Sequence, residues 1–445
     1  MDLKLSTGYR SILRLALPIS LAMLVPQINF ITNNIFLGGL GEQELAVAGI
    51  TGVYYLIFAV IGNGLNNGLQ ALISRRAGQN LPKEIGRISF HGIWIALGIS
   101  AFGIIITYFI APSILRSAIH EPGIAEEAIG FLRIRIWGLP LLYLYVMRNA
   151  LLVGTNQARF LGWGTAAEAV TNIILDYGFI YGKLGLPELG FNGAAYASIV
   201  AEGTGLVVIY AVIRLKGLHR PFAFFEDIRW DKALAKLILS KSTPLIAQYA
   251  ISIITWEYFY ILIEHHGERS LAISNTMRNL FGLFGIFSWS FASATNTMVS
   301  NIIGQGREHE VMALVSRIIK ISFSVSIVLF LLLNVWPEWF LSFYGQSGDF
   351  IREGIPVVRV VSVALLMMSF GPIWLNAVTG TGNTTVNLWI EVITLTLYVI
   401  YVYFVLEYFH MPLTWGWASE WVYWSSMFSM AYAYMKSGRW RGRSF

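Results

Sequence analysis

Apolar runs long enough to cross a bilayer follow one another along the whole chain, about twelve of them at roughly 20 residues each. No other feature constrains the fold as strongly, because a backbone in hydrocarbon must satisfy its hydrogen bonds inside helices or a closed barrel. The ten-residue alternating segments of an outer-membrane barrel are absent, which leaves an all-α integral membrane protein. The expected helical cores are 12–36, 47–72, 88–113, 128–153, 160–181 and 193–214, then 242–264, 271–298, 312–336, 354–379, 385–408 and 414–435. Charged residues make up only 13% of the chain, against roughly 25% in a soluble domain. The deficit runs through the whole length, so a soluble protein with a single anchor is excluded.

The net charge of +6 does not call for a nucleic-acid partner, since helical membrane proteins gather Lys and Arg in their cytoplasmic loops. Lys4, Arg10 and Arg14 precede the first helix, and Arg75, Arg76, Lys83 and Arg87 surround the end of the second. Lys216, Arg220, Arg229, Lys232, Lys236 and Lys241 fill the middle of the chain, and Lys436, Arg439, Arg441 and Arg443 end it. The intervening loops GGLGEQEL and EYFHMPLTWGW carry none, so both termini are expected in the cytoplasm. Trp336, Trp339, Trp415, Trp417 and Trp421 fall where the outer aromatic belt belongs. The apolar run from Ile12 is too long for a signal peptide and contains Pro18, Pro26 and Gln27. Cysteine is absent, so there is no disulfide framework.

The chain divides into a six-helix bundle over 1–215, a charged cytoplasmic linker over 216–241 and a second six-helix bundle over 242–445. Within the linker, DKALAKLILSK reads either as an interfacial helix or as the solvated start of the seventh span. The halves repeat each other. Pro18 in LALPIS and Pro244 in KSTPLIA lie 226 residues apart, as do GEQELA from Gly41 and GERSLA from Gly267. The same offset pairs Ser74, Gly78 and Gln79 with Ser300, Gly304 and Gln305; one residue later, NALLVGTN from Asn149 matches NAVTGTGN from Asn376. An even number of helices per half makes the repeats parallel, a plan that transporters use to rock one bundle against the other around a substrate site.

Polar residues within the spans are candidates for that site, because a charge at mid-membrane costs roughly 2.5–3.5 kcal/mol on insertion scales. Glu168, Asn172 and Asp176 are spaced i, i+4 and i+8, which makes one polar stripe on the fifth helix. Asp176 lies about 9 Å from the end of that helix near Gly182. The sixth helix adds Glu202, and the first contributes Asn29 and Asn33 after Pro26. For Asp176 two readings stand: a carboxylate satisfied by its neighbours for packing, or one that binds a proton or Na⁺ and releases it as its surroundings change. Asn172 and Asn33 would supply partners, with Glu202 and Glu168 next in rank. The second half carries Gln248, Trp256 and Glu257 on the seventh helix, Asn275, Arg278 and Asn279 on the eighth, Asn376 on the tenth and Glu391 on the eleventh. Gln248, Trp256, Glu257, Asn275, Arg278 and Asn376, with Tyr143 from the first half, are the candidate substrate-cavity residues. Arg278 and Glu257 fit equally well as a structural pair. Glu188, Glu264, His265, His266 and Glu420 sit near span ends and read as solvated, and His91 reads as a packed core histidine.

No enzyme signature competes: G-x-x-x-x-G-K-[ST], H-E-x-x-H and G-x-S-x-G are all absent. Transport powered by the chain's own ATP hydrolysis is disfavoured, which leaves an ion gradient or exchange. Three segments, LALPI around Pro18, GLQALISRRAGQN after the second helix and DYGFIYGKLGLPELGFNGAAYAS from Asp176, give the whole chain a resemblance to a known family. It resembles the MATE family, the multidrug and toxic compound extrusion transporters of the multidrug/oligosaccharidyl-lipid/polysaccharide flippase superfamily. The resemblance implies two six-helix lobes in a V shape and cation-coupled export by alternating access, with no cofactor beyond the coupling H⁺ or Na⁺. In similar members a cluster of a helix-one proline, a helix-one aspartate, and an Asn and Asp one turn apart on helix five couples to the ion. Pro18, Asn172 and Asp176 match it, and Pro18 and Pro26 mark a candidate hinge. The helix-one acid position, fifteen residues after the proline, is Asn33 here, with Asn34 beside it. The helix-seven acid of some relatives falls near Ser252.

Two functions fit these residues. The first is a secondary multidrug antiporter that exports amphipathic cationic small molecules in exchange for H⁺ or Na⁺, with a metal site for Na⁺ at Asp176 and Asn172. The second is a lipid-linked oligosaccharide flippase of the same superfamily, for which Arg148 and Arg278 would meet a pyrophosphate. The expected partners are small molecules, the coupling ion and the bilayer. The expected setting is a monomer in the inner, cytoplasmic membrane.

Overall fold

The computed structural model describes residues 3–119, 122–224, 229–342 and 348–442, and every regular element among them is helical. Twelve long helices dominate. They are α1 (Tyr9–Gly38), α2 (Glu42–Gly78), α3 (Pro82–Phe109), α4 (Gly123–Gly154), α5 (Leu161–Tyr181) and α6 (Phe191–Leu215), then α7 (Lys232–Glu264), α8 (Glu268–Gly304), α9 (Val311–Val335), α10 (Gly348–Gly380), α11 (Thr384–Tyr408) and α12 (Ser419–Lys436). Among the described residues nine of these are long and apolar enough to cross a membrane on composition alone. The other three, α5, α8 and α12, are 21, 37 and 18 residues long. Polarity, not length, sets them apart: α5 carries the Glu168–Asn172–Asp176 stripe, α8 carries Asn275, Arg278 and Asn279, and α12 carries Glu420. Large apolar side chains such as Phe102, Phe109, Val207, Ile254 and Trp389 stand exposed along the spans. A lipid solvent accounts for such exposure.

Two compact units divide the chain. One is built from Leu21–Ser242, the other from Lys4–Ser20 together with the residues from Thr243 onward. The N-terminal segment is tied into the second unit by named contacts. The Leu5 amide donates to Asn301 Oδ1 at 2.9 Å, Arg317 donates to the Thr7 carbonyl at 2.9 Å, and the Ser20 and Ser290 hydroxyls lie 2.5 Å apart. Helix α1 continues through both Pro18 and Pro26.

The repeat is visible in the backbone. Helices α2 and α8 have the same length, and their first and last residues are all 226 apart. Both end on a left-handed residue, Asn80 (φ 58°) and Gly306 (φ 76°). In each, the next amide reaches back five residues, Leu81 to the Arg76 carbonyl and Arg307 to that of Ile302, which is the Schellman closure of a helix. Helices α4 and α10 end in the same way on Asn156 (φ 62°) and Gly382 (φ 86°), again 226 apart. The Thr155 amide bonds the Leu151 carbonyl and the Thr381 amide that of Ala377. The one-residue slip that pairs Asn149 with Asn376 is therefore corrected. The handedness of the helix end fixes the register, and Asn149 corresponds to Leu375.

Small residues bring α5 and α6 into backbone contact. A Cβ added to Gly193 would stand 2.7 Å from the Phe179 carbonyl, and one on Gly205 would lie 3.1 Å from the Gly164 oxygen. Where helices approach this closely, only glycine fits. At the head of α7, Asp231 accepts the Ala233 and Leu234 amides on Oδ1 at 2.9 and 3.2 Å, an N-cap. Those amides first, then the Arg87 guanidinium, hold its carboxyl below the usual range. Helix α7 starts at Lys232 and runs unbroken to Glu264, so the DKALAKLILSK segment is the beginning of that helix. His91 is buried, and it does more than fill space: Nδ1 meets the Arg87 carbonyl at 2.8 Å while Nε2 accepts the Asp231 amide at 2.8 Å. Both ring nitrogens are used only by the neutral Nδ1–H tautomer.

The repeat predicts how the helix ends tolerate change. No atom crowds the Cβ direction of Gly306, so Gly306→Ala adds only left-handed strain and is expected to cost about 1 kcal/mol. Gly306→Asn installs the residue found at the equivalent position 80 and is expected to cost less. Unfolding midpoints in detergent measure both, and equal losses would refute the equivalence of the two helix ends.

Candidate functional site

In the first unit, the stripe on α5 is buried most deeply at its far end. Asp176 is 0% exposed and Asn172, one turn earlier, 6%. The Asn172 side-chain amide donates to Asp176 Oδ2 at 3.1 Å, as the i, i+4 spacing on one helix face allows. Asp176 Oδ1 is buried without a hydrogen-bond partner, and so are Asn29 Oδ1 and Asn33 Oδ1 on α1. Among the described residues no Lys, Arg or His pairs with Asp176. The far end of α5 is set by Gly182, left-handed at φ 62°, and by the Leu189 amide, which returns to the Phe179 carbonyl at 2.7 Å. That loop is the GKLGLPELG segment.

Glu202 and Glu168 belong to a different group. Glu202 accepts Arg135 through both oxygens, at 3.0 and 2.5 Å, and both side chains are nearly buried. The guanidinium lies over the Tyr55 ring, 3.9 Å from its centroid. Glu168 lies within electrostatic reach of both Arg135 and Glu202. Local structure makes room for this pair. Helix α4 breaks into a 3-10 turn at Ile136–Gly138 directly after Arg135. A Cβ on Gly138 would stand 2.3 Å from Arg135 Nη1 and from Glu202 Oε2.

The second unit encloses a cavity of about 300 Å³. Two carboxylates, Glu391 from α11 and Glu420 from α12, line it together with Trp256, Tyr398, Tyr423 and Trp424. Both acids are buried, at 0% and 5% exposure. The hydroxyls of Ser252 and Tyr423 each approach Glu391 Oε1 at 2.6 Å, whereas Oε2 has no partner. One turn earlier on α11, Asn387 donates to Gln248 Oε1 at 2.8 Å. Asn387 and Glu391 thus meet Gln248 and Ser252, two i, i+4 pairs that face each other from α11 and α7. Glu391 of α11 thus sets a carboxylate against Ser252 of α7. Glu420 adjoins Tyr398.

Of the residues singled out for the substrate cavity, Gln248, Trp256 and Asn376 line this one. Asn275 and Arg278 are exposed, and the Arg278–Glu257 ion pair at 3.2 Å is about half-exposed on both sides. Tyr143 is buried in the first unit and donates to the Phe58 carbonyl at 2.8 Å. Glu420 is the correction: its place near a span end suggested solvation, yet the aromatic residues around it exclude solvent. Arg135 escaped the sequence reading altogether, although a guanidinium inside FLRIRIWGLPLL was itself a signal.

The Arg135–Glu202 contact has a measurable consequence. Removing one member of a buried pair leaves the other charge without an answer, at about 3–5 kcal/mol, whereas removing both is far milder. Arg135→Met is therefore expected to lower the unfolding midpoint sharply, and Arg135→Met with Glu202→Gln to recover most of the loss. Equal destabilisation by the single and the double variant would contradict the pairing.

The MatE family profile matches the chain twice, over residues 18–178 and 244–404. The starts and the ends of the two matches are each 226 residues apart, the offset of the backbone repeat. A protein of Synechocystis sp. named Probable multidrug resistance protein NorM is 24% identical over 382 residues, which is 80% of this chain and 79% of that one. A solved MOP superfamily transporter from Pyrococcus furiosus, described as having a binding pocket of reversed polarity, superposes with a TM-score of 0.87 at 20% identity, over 97% of this chain and 95% of its own. An outward-facing structure of a multidrug resistance MATE family transporter gives a TM-score of 0.86 at 22% identity, again over 97% and 95%. With the family profile covering most of both halves of a twelve-helix fold, the chain belongs to the MatE family of membrane transporters.

Proposed function

We propose that this protein is a secondary antiporter that exports amphipathic cationic small molecules in exchange for H⁺ or Na⁺, by alternating access, with Asp176 as the coupling carboxylate. The observation that carries the reading is the state of Asp176: fully buried, bonded among the described residues only to Asn172, and with Oδ1 unpartnered. A buried carboxylate without a cationic residue must take its compensation from a mobile ion, H⁺ or Na⁺, or remain very costly. The unpartnered oxygens of Asn29 and Asn33 are neutral donors of the kind a hard cation accepts. Glu202 is a weaker candidate for this exchange, because Arg135 already neutralises it.

The names of the relatives speak of multidrug resistance for those proteins, which agrees with export of cationic drugs. For this chain it is supported by the aromatic, acid-bearing cavity of the second unit, which suits cations through charge and ring faces. The flippase reading asks for free cationic side chains to hold a pyrophosphate. Arg278 is paired with Glu257, and Arg148 bonds the Tyr210 hydroxyl with its guanidinium over that ring. The Lys and Arg content of the loops supports a reading with both termini on the cytoplasmic side of the cytoplasmic membrane, and the reading is of a monomer.

The test is efflux of a fluorescent cation in inverted vesicles under imposed pH or Na⁺ gradients. Wild type is expected to respond to one of the two gradients, and Asp176→Asn to fall to the passive leak. Undiminished gradient-driven transport in that variant removes Asp176 from the coupling role. Lipid-linked glycan scrambling without any gradient-driven cation movement would favour the flippase instead.

A further inference from the structure

The cavity of the second unit holds two carboxylates, and among the described residues neither has a cation within ion-pair distance. The count matters. One carboxylate among aromatic side chains is answered by a single ammonium group, but a monocation entering this cavity leaves the second carboxylate uncompensated and desolvated. A ligand with two separated positive charges answers both.

We infer that this cavity is a binding site for linear diammonium ions, the α,ω-diamine and polyamine class, with one ammonium group at Glu391 and the other at Glu420. Three independent features support the assignment. Glu391 Oε2 is buried, lacks a hydrogen-bond partner and belongs to a residue that lines the cavity. The Ser252 and Tyr423 hydroxyls converge on the other oxygen, which fixes the carboxylate. The rest of the lining is largely aromatic and apolar, including Trp256, Phe281, Leu395 and Trp424. Such walls accept a methylene chain by burial and ammonium groups by cation–π attraction. The cavity volume of about 300 Å³ is within the range of ligand sites and has room for a single slender chain.

Neither the antiport reading nor Asp176 is needed for this binding, because all the named residues lie in the second unit. The test uses the purified full chain in detergent micelles and follows tryptophan fluorescence and calorimetric heat. The ligands are α,ω-diaminoalkanes of increasing length, each compared with the amino alcohol of the same length, which lacks one charge. At the best length the diamine is expected to bind about tenfold more tightly or better, a difference of about 1.4 kcal/mol for the second ion contact. Glu391→Gln and Glu420→Gln keep side-chain shape, and each is expected to bring the diamine down to the affinity of the amino alcohol. Equal binding of diamine and amino alcohol to wild type at every length would overturn the assignment without any variant being needed. Retention of the diamine preference in both variants would do the same, as would full displacement of the diamine by equimolar Mg²⁺, which would mark a metal site. Because the micelle supports no gradient, failure here leaves the coupling role of Asp176 intact, and failure of coupling leaves this site intact.

Discussion

A carboxylate surrounded by hydrocarbon has to be answered by something, and this requirement organises the polar interior of the protein. Three answers occur. Glu202 has a guanidinium, delivered from the break in α4 and held flat against Tyr55. Glu391 has two hydroxyls on one oxygen and none on the other. Asp176 has one amide. Permanent neutralisation decreases along that series, and the opening for an exchangeable cation grows with it. The glycines that seem idle in sequence serve the same requirement. Gly138 leaves space for an ion pair, and Gly164, Gly193 and Gly205 let α5 and α6 close around the acids they carry.

The duplication preserved the backbone and discarded the chemistry. Helix lengths, caps and left-handed termini recur at 226 residues, because they depend on backbone closure and a few small residues. The buried acids of the spans do not recur. At the same offset Asp176 corresponds to Val402, Asn172 to Tyr398, Glu391 to Thr165 and Glu420 to Ala194. The two halves thus do not share these carboxylates, and two unlike polar sites sit on one repeated frame.

What was legible in the sequence follows from which interactions are local. The spans, the repeat and the Asn172–Asp176 contact rest on spacings within one helix, and periodicity reveals those. The left-handed Asn156 was harder, since the shared asparagines drew the register one residue away from where the backbone closes. The Arg135–Glu202 pair joins residues 67 apart, and Ser252–Glu391 joins residues 139 apart. No spacing rule predicts which neighbouring helix presents its face to which. Glu420 was misplaced for a related reason. Its position near a span end is a property of the chain, whereas its burial against Tyr398 and Trp424 is a property of packing.

The surroundings of the acids, more than the acids themselves, then decide which cation each half is suited to take. Asp176 has a single amide partner and one unpartnered oxygen, an environment that a proton or a hard metal ion can complete. Around Glu391 and Glu420 the surface is ring faces, which replace little of the hydration of an inorganic ion but hold an alkylammonium well. An exchanger must stop its coupling ion from simply occupying the cargo site. On the reading proposed here, separating an amide-bonded carboxylate from carboxylates among aromatic rings meets that need, because each environment disfavours the cation that the other accepts.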